Sequence, residues 1–225
     1  MYRRNWYRRH FIAVGVLAAV AGLSVEAGAT ATQVTQTIQP KTILVVGDSL
    51  SAEYGLKRGS GWVALLEQRL KVEKLPPTVV NASISGDTTS GGRSRLGGLL
   101  AQHQPTHVII ELGGNDALRG LPLQLTEDNL KQMTQAAQKA GARVLLIGMQ
   151  VPPNYGKDYS TRFAAMYAGV AKANKTALVP FLLKGIADNT ADATRLFQPD
   201  RIHPREEAQP IMLANVWPEL KKLLK

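Results

Sequence analysis

The stretch that decides the fold is Thr42-Ile43-Leu44-Val45-Val46-Gly47, which runs directly into the polar residues Asp48-Ser49-Leu50-Ser51. A short β-branched, apolar run without polar alternation is typical of a parallel strand that is buried on both faces. Further runs of strand character lie at 78–82, 106–112, 142–149 and 177–181. Helical spacing of apolar residues fills the intervals and the end of the chain, at 61–72, 88–103, 126–141, 159–174 and 206–224. This alternation predicts a three-layer α/β/α, flavodoxin-like domain over residues 41–225, with a five-stranded, mostly parallel sheet.

The N-terminal segment differs in composition from the rest of the chain. Four arginines precede an apolar run at residues 11–25, which is shorter than the roughly 20 residues that a membrane-spanning helix needs. Ala27–Ala29 then supplies the small residues of a signal-peptidase site. We therefore predict a signal peptide over 1–29, a disordered lead-in over 30–40, and a periplasmic or secreted protein. Cleavage after Ala31 and a retained anchor helix are the alternatives.

Composition excludes several classes of protein. The 225 residues are 44% hydrophobic, which suits a sizeable core and not a disordered chain. The absence of cysteine excludes disulfides, thiolate metal sites and a cysteine nucleophile. The net charge of +10 is scattered, so nucleic-acid binding is not expected, and membrane or lipid contact is at most peripheral. We expect a monomer that uses no cofactor and no metal.

The histidines limit the chemistry open to a site at the carboxyl ends of the strands, where ligands bind in such sheets. His10 leaves with the signal peptide, and His103 and His107 flank the start of the third strand, at the opposite edge, as surface or loop residues. His203 lies three residues after Asp200, whose carboxylate can bind Nδ1 and leave Nε2 free to accept a proton. Taken alone, the same spacing fits Asp200 as a helix cap equally well.

A nucleophile at this edge is expected to be a hydroxyl, because the chain has no thiol. Ser49 follows the first strand, where the next helix can direct its N–H groups at the site; a plain helix-cap serine is the alternative. The Gly-x-Ser-x-Gly motif is absent, since Ser51 stands at its last position. The N–H groups of Ser49 and Gly86 and the side-chain amide of Asn115 could converge on one developing oxyanion.

Four sequence blocks resemble the GDSL, or SGNH, hydrolase family. Gly47–Ser51 is similar to the first block, Gly86 to the glycine of the second, Gly113–Asp116 to the Gly-x-Asn-Asp of the third and Asp200–His203 to the last. The blocks occur in family order, and the resemblance extends over most of residues 41–224. It is strongest for small bacterial periplasmic thioesterases that are also lysophospholipases and arylesterases.

The resemblance implies a role for each matching residue. Ser49 would be the nucleophile, His203 the general base and then acid, and Asp200 its orienting partner. Ser49, Gly86 and Asn115 would form the oxyanion hole.

The resemblance also implies a substrate-binding element and a reaction. A flexible loop at about 117–122, with Leu118, Leu121 and Pro122, would cover the acyl chain, whereas 187–198 matches less well. The implied reaction is hydrolysis of small esters and thioesters with short to medium acyl chains, including aryl esters and lysophospholipids, through an acyl-enzyme and without a cofactor. The alternatives are a deacetylase of envelope polysaccharide or peptidoglycan and a non-catalytic flavodoxin-like binding module.

Overall fold

The computed structural model describes residues 41–75, 77–188 and 193–225. The signal peptide and the lead-in predicted over 1–40 lie outside the described residues and stay predictions. Within the described part, no helix combines the length and the apolar character needed to cross a membrane.

The described residues form one parallel sheet whose strands follow the order β2-β1-β3-β4-β5. Every neighbouring pair is parallel, which confirms the predicted α/β fold. The central strands are buried because helices cover both faces. The strands are β1 (Thr42–Gly47), β2 (Thr78–Asn81), β3 (His107–Glu111), β4 (Arg143–Ile147) and β5 (Ala177–Val179).

The helices pack in two layers. They are α1 (Trp62–Val72), α2 (Thr89–His103), α3 (Gly114–Leu118), α4 (Leu123–Lys139), α5 (Lys157–Ala173), α6 (Ala193–Leu196) and α7 (Gln209–Leu223). Helix α4 contacts α2 on one side and α5 on the other, whereas α1 contacts α7. Right-handed crossovers from this strand order place the first set on one face and the second on the other. The strand order changes direction between β1 and β3, so their carboxyl ends flank the crevice where such folds bind ligands.

Several element boundaries differ from the predictions for identifiable reasons. Helix α4 begins at Leu123 and not at Thr126, whose hydroxyl binds a carboxylate in the core instead. Helix α2 begins one residue late because Thr88 caps it and accepts a hydrogen bond from the Gly91 N–H. Pro218 lies inside α7, which continues through it.

The prediction for His107 was wrong in part. His107 begins β3, at the edge opposite Ser49 as expected, but it is buried and not a surface residue. Its Nε2 lies 3.0 Å from the Leu223 carbonyl oxygen and its Nδ1 lies 2.9 Å from the Thr106 hydroxyl. Burial lowers the pKa of His107, so the imidazole serves as a neutral link between β3 and the end of α7.

Candidate active site

Three side chains predicted for the site meet at the carboxyl end of β1. The Nε2 atom of His203 lies 2.8 Å from Ser49 Oγ, and its Nδ1 lies 2.7 Å from Asp200 Oδ2. With the proton assigned to Nδ1, the ring donates to Asp200 and accepts from the Ser49 hydroxyl. This arrangement can transfer a proton from the hydroxyl to the imidazole.

Asp200 is held by the turn that carries His203. Its Oδ1 accepts hydrogen bonds from the backbone N–H groups of Ile202 and His203, at 2.9 and 3.0 Å. Burial favours a higher pKa for Asp200, but these N–H groups, followed by the His203 ring, outweigh it and lower the pKa to about 2. The carboxylate is therefore charged at neutral pH and can stabilise an imidazolium.

Two further residues support His203, and sequence reasoning missed both. The Tyr54 ring packs against the imidazole with a centroid distance of 4.3 Å. Gln198 forms no hydrogen bond with the side chains of Ser49, His203 or Asp200, but it links two segments of the site. Its Nε2 donates to the Tyr54 carbonyl at 2.9 Å, and its backbone N–H donates to the His203 carbonyl at 2.8 Å. Gly55 has φ +68°, and a Cβ there would lie 2.1 Å from the Gln198 amide oxygen, so a larger residue would be strained and would displace this amide.

Ser49 lies in a turn after β1, as predicted, but the helix that was expected to direct its N–H groups at the site does not follow directly. Residues 49–56 form consecutive turns, in which the Ala52 N–H donates to the Asp48 carbonyl at 2.9 Å, and α1 begins only at Trp62. Donors for an oxyanion must therefore come from the turn itself and from neighbouring loops.

The three predicted oxyanion donors come from different loops at this edge. Within the described residues, the N–H groups of Ser49 and Gly86 donate no hydrogen bond. Asn115 Nδ2 donates one hydrogen to Asp48 Oδ2 at 3.0 Å, which leaves its second hydrogen available. Ser49 and Asn115 line one cavity with His203, whereas Gly86 does not line it.

Two arginines hold the Gly86 loop. Arg119 Nη2 donates to the Gly86 carbonyl at 2.7 Å. Arg95 Nη1 donates to the Ala82 carbonyl at 2.5 Å and its Nε to Asp87 Oδ2 at 2.9 Å, one at each end of the loop. Gly86 itself has φ +78°, a conformation that favours glycine. Neither arginine was singled out from the sequence, because nothing near them in the chain marks the contact.

A pair of carboxyl groups lies beneath the turn of Ser49. Glu111, fully buried at the end of β3, accepts from Ser51 Oγ at 2.7 Å and from the Asp48 N–H at 3.4 Å. Burial, and then the charge of Asp48, raise the pKa of Glu111 well above its usual value. Burial likewise raises the pKa of Asp48 to about 6, against the lowering effect of the Leu50 N–H and Asn115.

The backbone before Asn115 is fixed by Gly113 and Asp116. Gly113 has φ +119°, and a Cβ there would lie 2.3 Å from the hydroxyl of Tyr167. That hydroxyl donates to the Leu112 carbonyl at 2.9 Å. Asp116 is buried and accepts from the Thr89 N–H and hydroxyl, at 2.9 and 2.5 Å. These contacts fix the segment on both sides of the predicted oxyanion donor.

A cavity of about 750 Å³ opens beside Ser49 and His203. Apolar side chains dominate its lining: Leu50, Leu118, Met149, Val151, Pro152, Pro153, Tyr155, Phe181, Leu183, Ala187, Phe197 and Ile202. Such a surface suits an aliphatic or aromatic group.

The predicted substrate loop is only partly placed at this cavity. Leu118 lines it, but Leu121 and Pro122 do not. The first two residues of the predicted loop, Ala117 and Leu118, end the short helix α3, and the other four connect it to α4. In the segment 187–198, Ala187, Asp188 and Phe197 contribute to the wall, and 189–192 lies outside the described residues.

Residues 45–210 match the model of the GDSL-like lipase/acylhydrolase family. The chain belongs to this family. The family resemblance predicted from the four blocks is therefore confirmed. Among the residues that the structure describes, no group of three or more histidine, aspartate or glutamate side chains could hold a metal ion.

Named relatives of this GDSL-like hydrolase are esterases and thioesterases. The chain is 52% identical over 190 residues to esterase TesA of Pseudomonas aeruginosa, across 84% of this chain and 92% of that protein. It is 41% identical over 183 residues to thioesterase 1/protease 1/lysophospholipase L1 of Escherichia coli K12, across 81% and 85%. The crystal structure of psychrotrophic esterase EstA from Pseudoalteromonas sp., inhibited by monoethylphosphonate, superposes with a TM-score of 0.76 at 40% identity, covering 82% of this chain and 98% of that one.

Proposed function

We propose that this chain is a serine hydrolase that cleaves carboxylic esters and thioesters through an acyl-enzyme on Ser49. The observation that carries the proposal is the unbroken hydrogen-bonded series from Ser49 through His203 to Asp200. The relatives named esterase and thioesterase support the same chemistry.

The reaction would proceed in two halves. Ser49 Oγ attacks the acyl carbon while its proton passes to His203 Nε2, and Asp200 stabilises the imidazolium. The oxyanion accepts hydrogen bonds from the N–H groups of Ser49 and Gly86 and from Asn115 Nδ2. His203 then gives the proton to the departing alcohol or thiol, and a water molecule repeats the sequence on the acyl-enzyme.

The cavity supports a substrate with a short to medium acyl chain, an aryl ester or a lysophospholipid. Its apolar lining favours such groups over an acetylated glycan, since a sugar ring needs polar partners. The two substrate classes are distinguished by comparing activity on a series of esters from acetate to octanoate with activity on acetylated xylan. A preference for the acetylated glycan would contradict this assignment.

The nucleophile is tested with Ser49→Ala, using Ser94→Ala on the exposed side of α2 as the control. We expect Ser49→Ala to lose p-nitrophenyl ester hydrolysis and labelling by a fluorophosphonate probe, with the thermal midpoint preserved. Ser94→Ala should keep both. Near wild-type hydrolysis by Ser49→Ala would overturn the proposal and would leave a non-catalytic or differently catalysed function.

Export is the second part of the proposal, and it rests on the basic, apolar and small-residue order of the first 31 residues. We propose that the enzyme is periplasmic or secreted. Protein purified from the periplasmic fraction should begin at Thr30, or at Thr32 if cleavage follows Ala31. An intact N-terminus at Met1 would favour the retained anchor instead.

A further inference from the structure

Large exposed hydrophobic side chains are unevenly distributed over the described residues. The most exposed, Val72, ends α1, which runs antiparallel to the strands and so finishes at the edge opposite Ser49. The other five lie at the carboxyl edge of the sheet, three in loops, one at the end of α3 and one in the first turn of α4. We call these five the apolar rim: Tyr54, Ile84, Leu118, Leu125 and Ile202.

The apolar rim lies on the same edge of the molecule as the mouth of the cavity. Leu118 and Ile202 line the cavity itself, and Tyr54 packs on His203. The Ile84 N–H donates to the carbonyl of Gly47, at the end of β1, at 3.0 Å. Leu125 lies in the first turn of α4, which contacts α3. Three of the five rim residues therefore lie at the entrance to the proposed acyl site, and Ile84 and Leu125 belong to a loop and a helix beside elements of its wall.

Two arginines are next to rim residues in the chain. Arg119 follows Leu118, and Arg201 precedes Ile202; both are exposed. Within the described part of the chain, neither forms an ion pair. The neighbouring carboxylate of Asp200 is engaged with His203 and two backbone N–H groups.

We propose that the apolar rim docks the enzyme on a phospholipid surface that carries anionic headgroups. Soluble proteins rarely cluster exposed apolar side chains without a partner. Apolar side chains inserted at the headgroup boundary, together with arginines attracted to anionic lipid, are the two contributions that hold a peripheral protein on a bilayer. In this orientation the cavity opens toward the lipid, and an acyl chain can enter it without crossing bulk water.

Membrane docking is a property separate from hydrolysis, and it can be measured on a catalytically inactive protein. All proteins carry Ser49→Ala, so that vesicle lipids stay intact and a failure to bind leaves the proposed reaction untouched. Sedimentation is measured with vesicles of phosphatidylcholine mixed with phosphatidylglycerol, and with phosphatidylcholine alone. The test variant is Ile84→Ser with Leu125→Ser, and the matched control is Val72→Ser, which removes an exposed apolar side chain at the opposite edge.

We expect the mixed vesicles to bind the parent protein more tightly than phosphatidylcholine does. The paired rim substitution should weaken binding to mixed vesicles by roughly tenfold, with an unchanged thermal midpoint, while Val72→Ser has no effect. Arg201→Gln should weaken binding by about fivefold on mixed vesicles only. Absence of sedimentation, equal binding to both vesicles, or equal losses from the rim pair and Val72→Ser would each overturn the proposal.

Discussion

Ser51 donates its hydroxyl hydrogen to the buried carboxyl group of Glu111 at 2.7 Å, which joins the turn of Ser49 to the last residue of β3. The other oxygen, Glu111 Oε1, is buried and has no partner among the described residues. An ionised carboxylate with an unpartnered buried oxygen is costly. Together with the raised pKa of Glu111, this indicates a neutral carboxylic acid that supports Asp48 and, through it, Asn115.

Glu111→Gln should therefore be tolerated at neutral pH. A carboxyl group whose pKa is raised on folding holds its proton more tightly in the native state, so its contribution to stability is greatest at low pH and is lost as pH rises above the unfolded value of 4.5. The thermal midpoint of the wild type, relative to that of Glu111→Gln, should fall as the pH is raised above the unfolded-state pKa of 4.5. A difference in midpoint that does not change with pH would contradict a protonated Glu111.

Asp200→Asn should lower kcat by roughly 10²- to 10⁴-fold, the range over which a positioned base contributes. The amide cannot stabilise the imidazolium that forms when His203 accepts the proton. Asp188→Asn is the matched control, because Asp188 lines the same cavity and its Oδ1 accepts from the Gly185 N–H, not from His203. Equal losses of kcat in the two variants would argue against a specific role for Asp200.

Asn115→Ala should lower kcat by roughly 10²- to 10³-fold and change KM little, because an oxyanion donor acts mainly in the transition state. Steady-state hydrolysis of an aryl ester provides both constants. Asn174→Ala serves as the comparison, since the Asn174 amide donates to the Val170 carbonyl at the end of α5. An effect of Asn115→Ala confined to KM would place this amide in ground-state binding instead.

Gly113→Ala should destabilise the protein by more than about 1 kcal/mol, because a Cβ there meets the Tyr167 hydroxyl and φ is positive. Gly97→Ala, on the exposed side of α2 where an added Cβ meets nothing within 4 Å, should instead stabilise by about 0.5–1 kcal/mol. Denaturant unfolding measures both. Equal free energies of unfolding for the two variants would refute the steric account.

The sheet and the Asp200–His203 pair could be found from sequence because their signals are local, and Ser49 was identified by its place after the first strand and by the family resemblance. Buried parallel strands are continuous apolar runs, and Asp200 and His203 lie within one turn. The start of α4 was misplaced because Thr126 looked like the opening of a helix, whereas its hydroxyl bonds to Asp116 in the folded chain.

The supporting residues could not be found in the same way. Glu111 reads only as the polar end of a strand, and its relation to Ser51 spans 60 positions. The Gln198 contact with Tyr54 spans 144 positions, and nothing in either segment indicates the other. Such contacts depend on how the loops at one edge of the sheet meet.

The distance along the chain between Ser49 and His203 has a consequence for biosynthesis. The two residues are 154 positions apart, and synthesis proceeds from the N-terminus, so the serine is made long before the imidazole that is to accept its proton. A nascent or truncated chain that lacks the last segment contains the hydroxyl and no base to activate it. Appearance of esterase activity during refolding should therefore mark the arrival of the final loop, and not the earlier formation of the sheet.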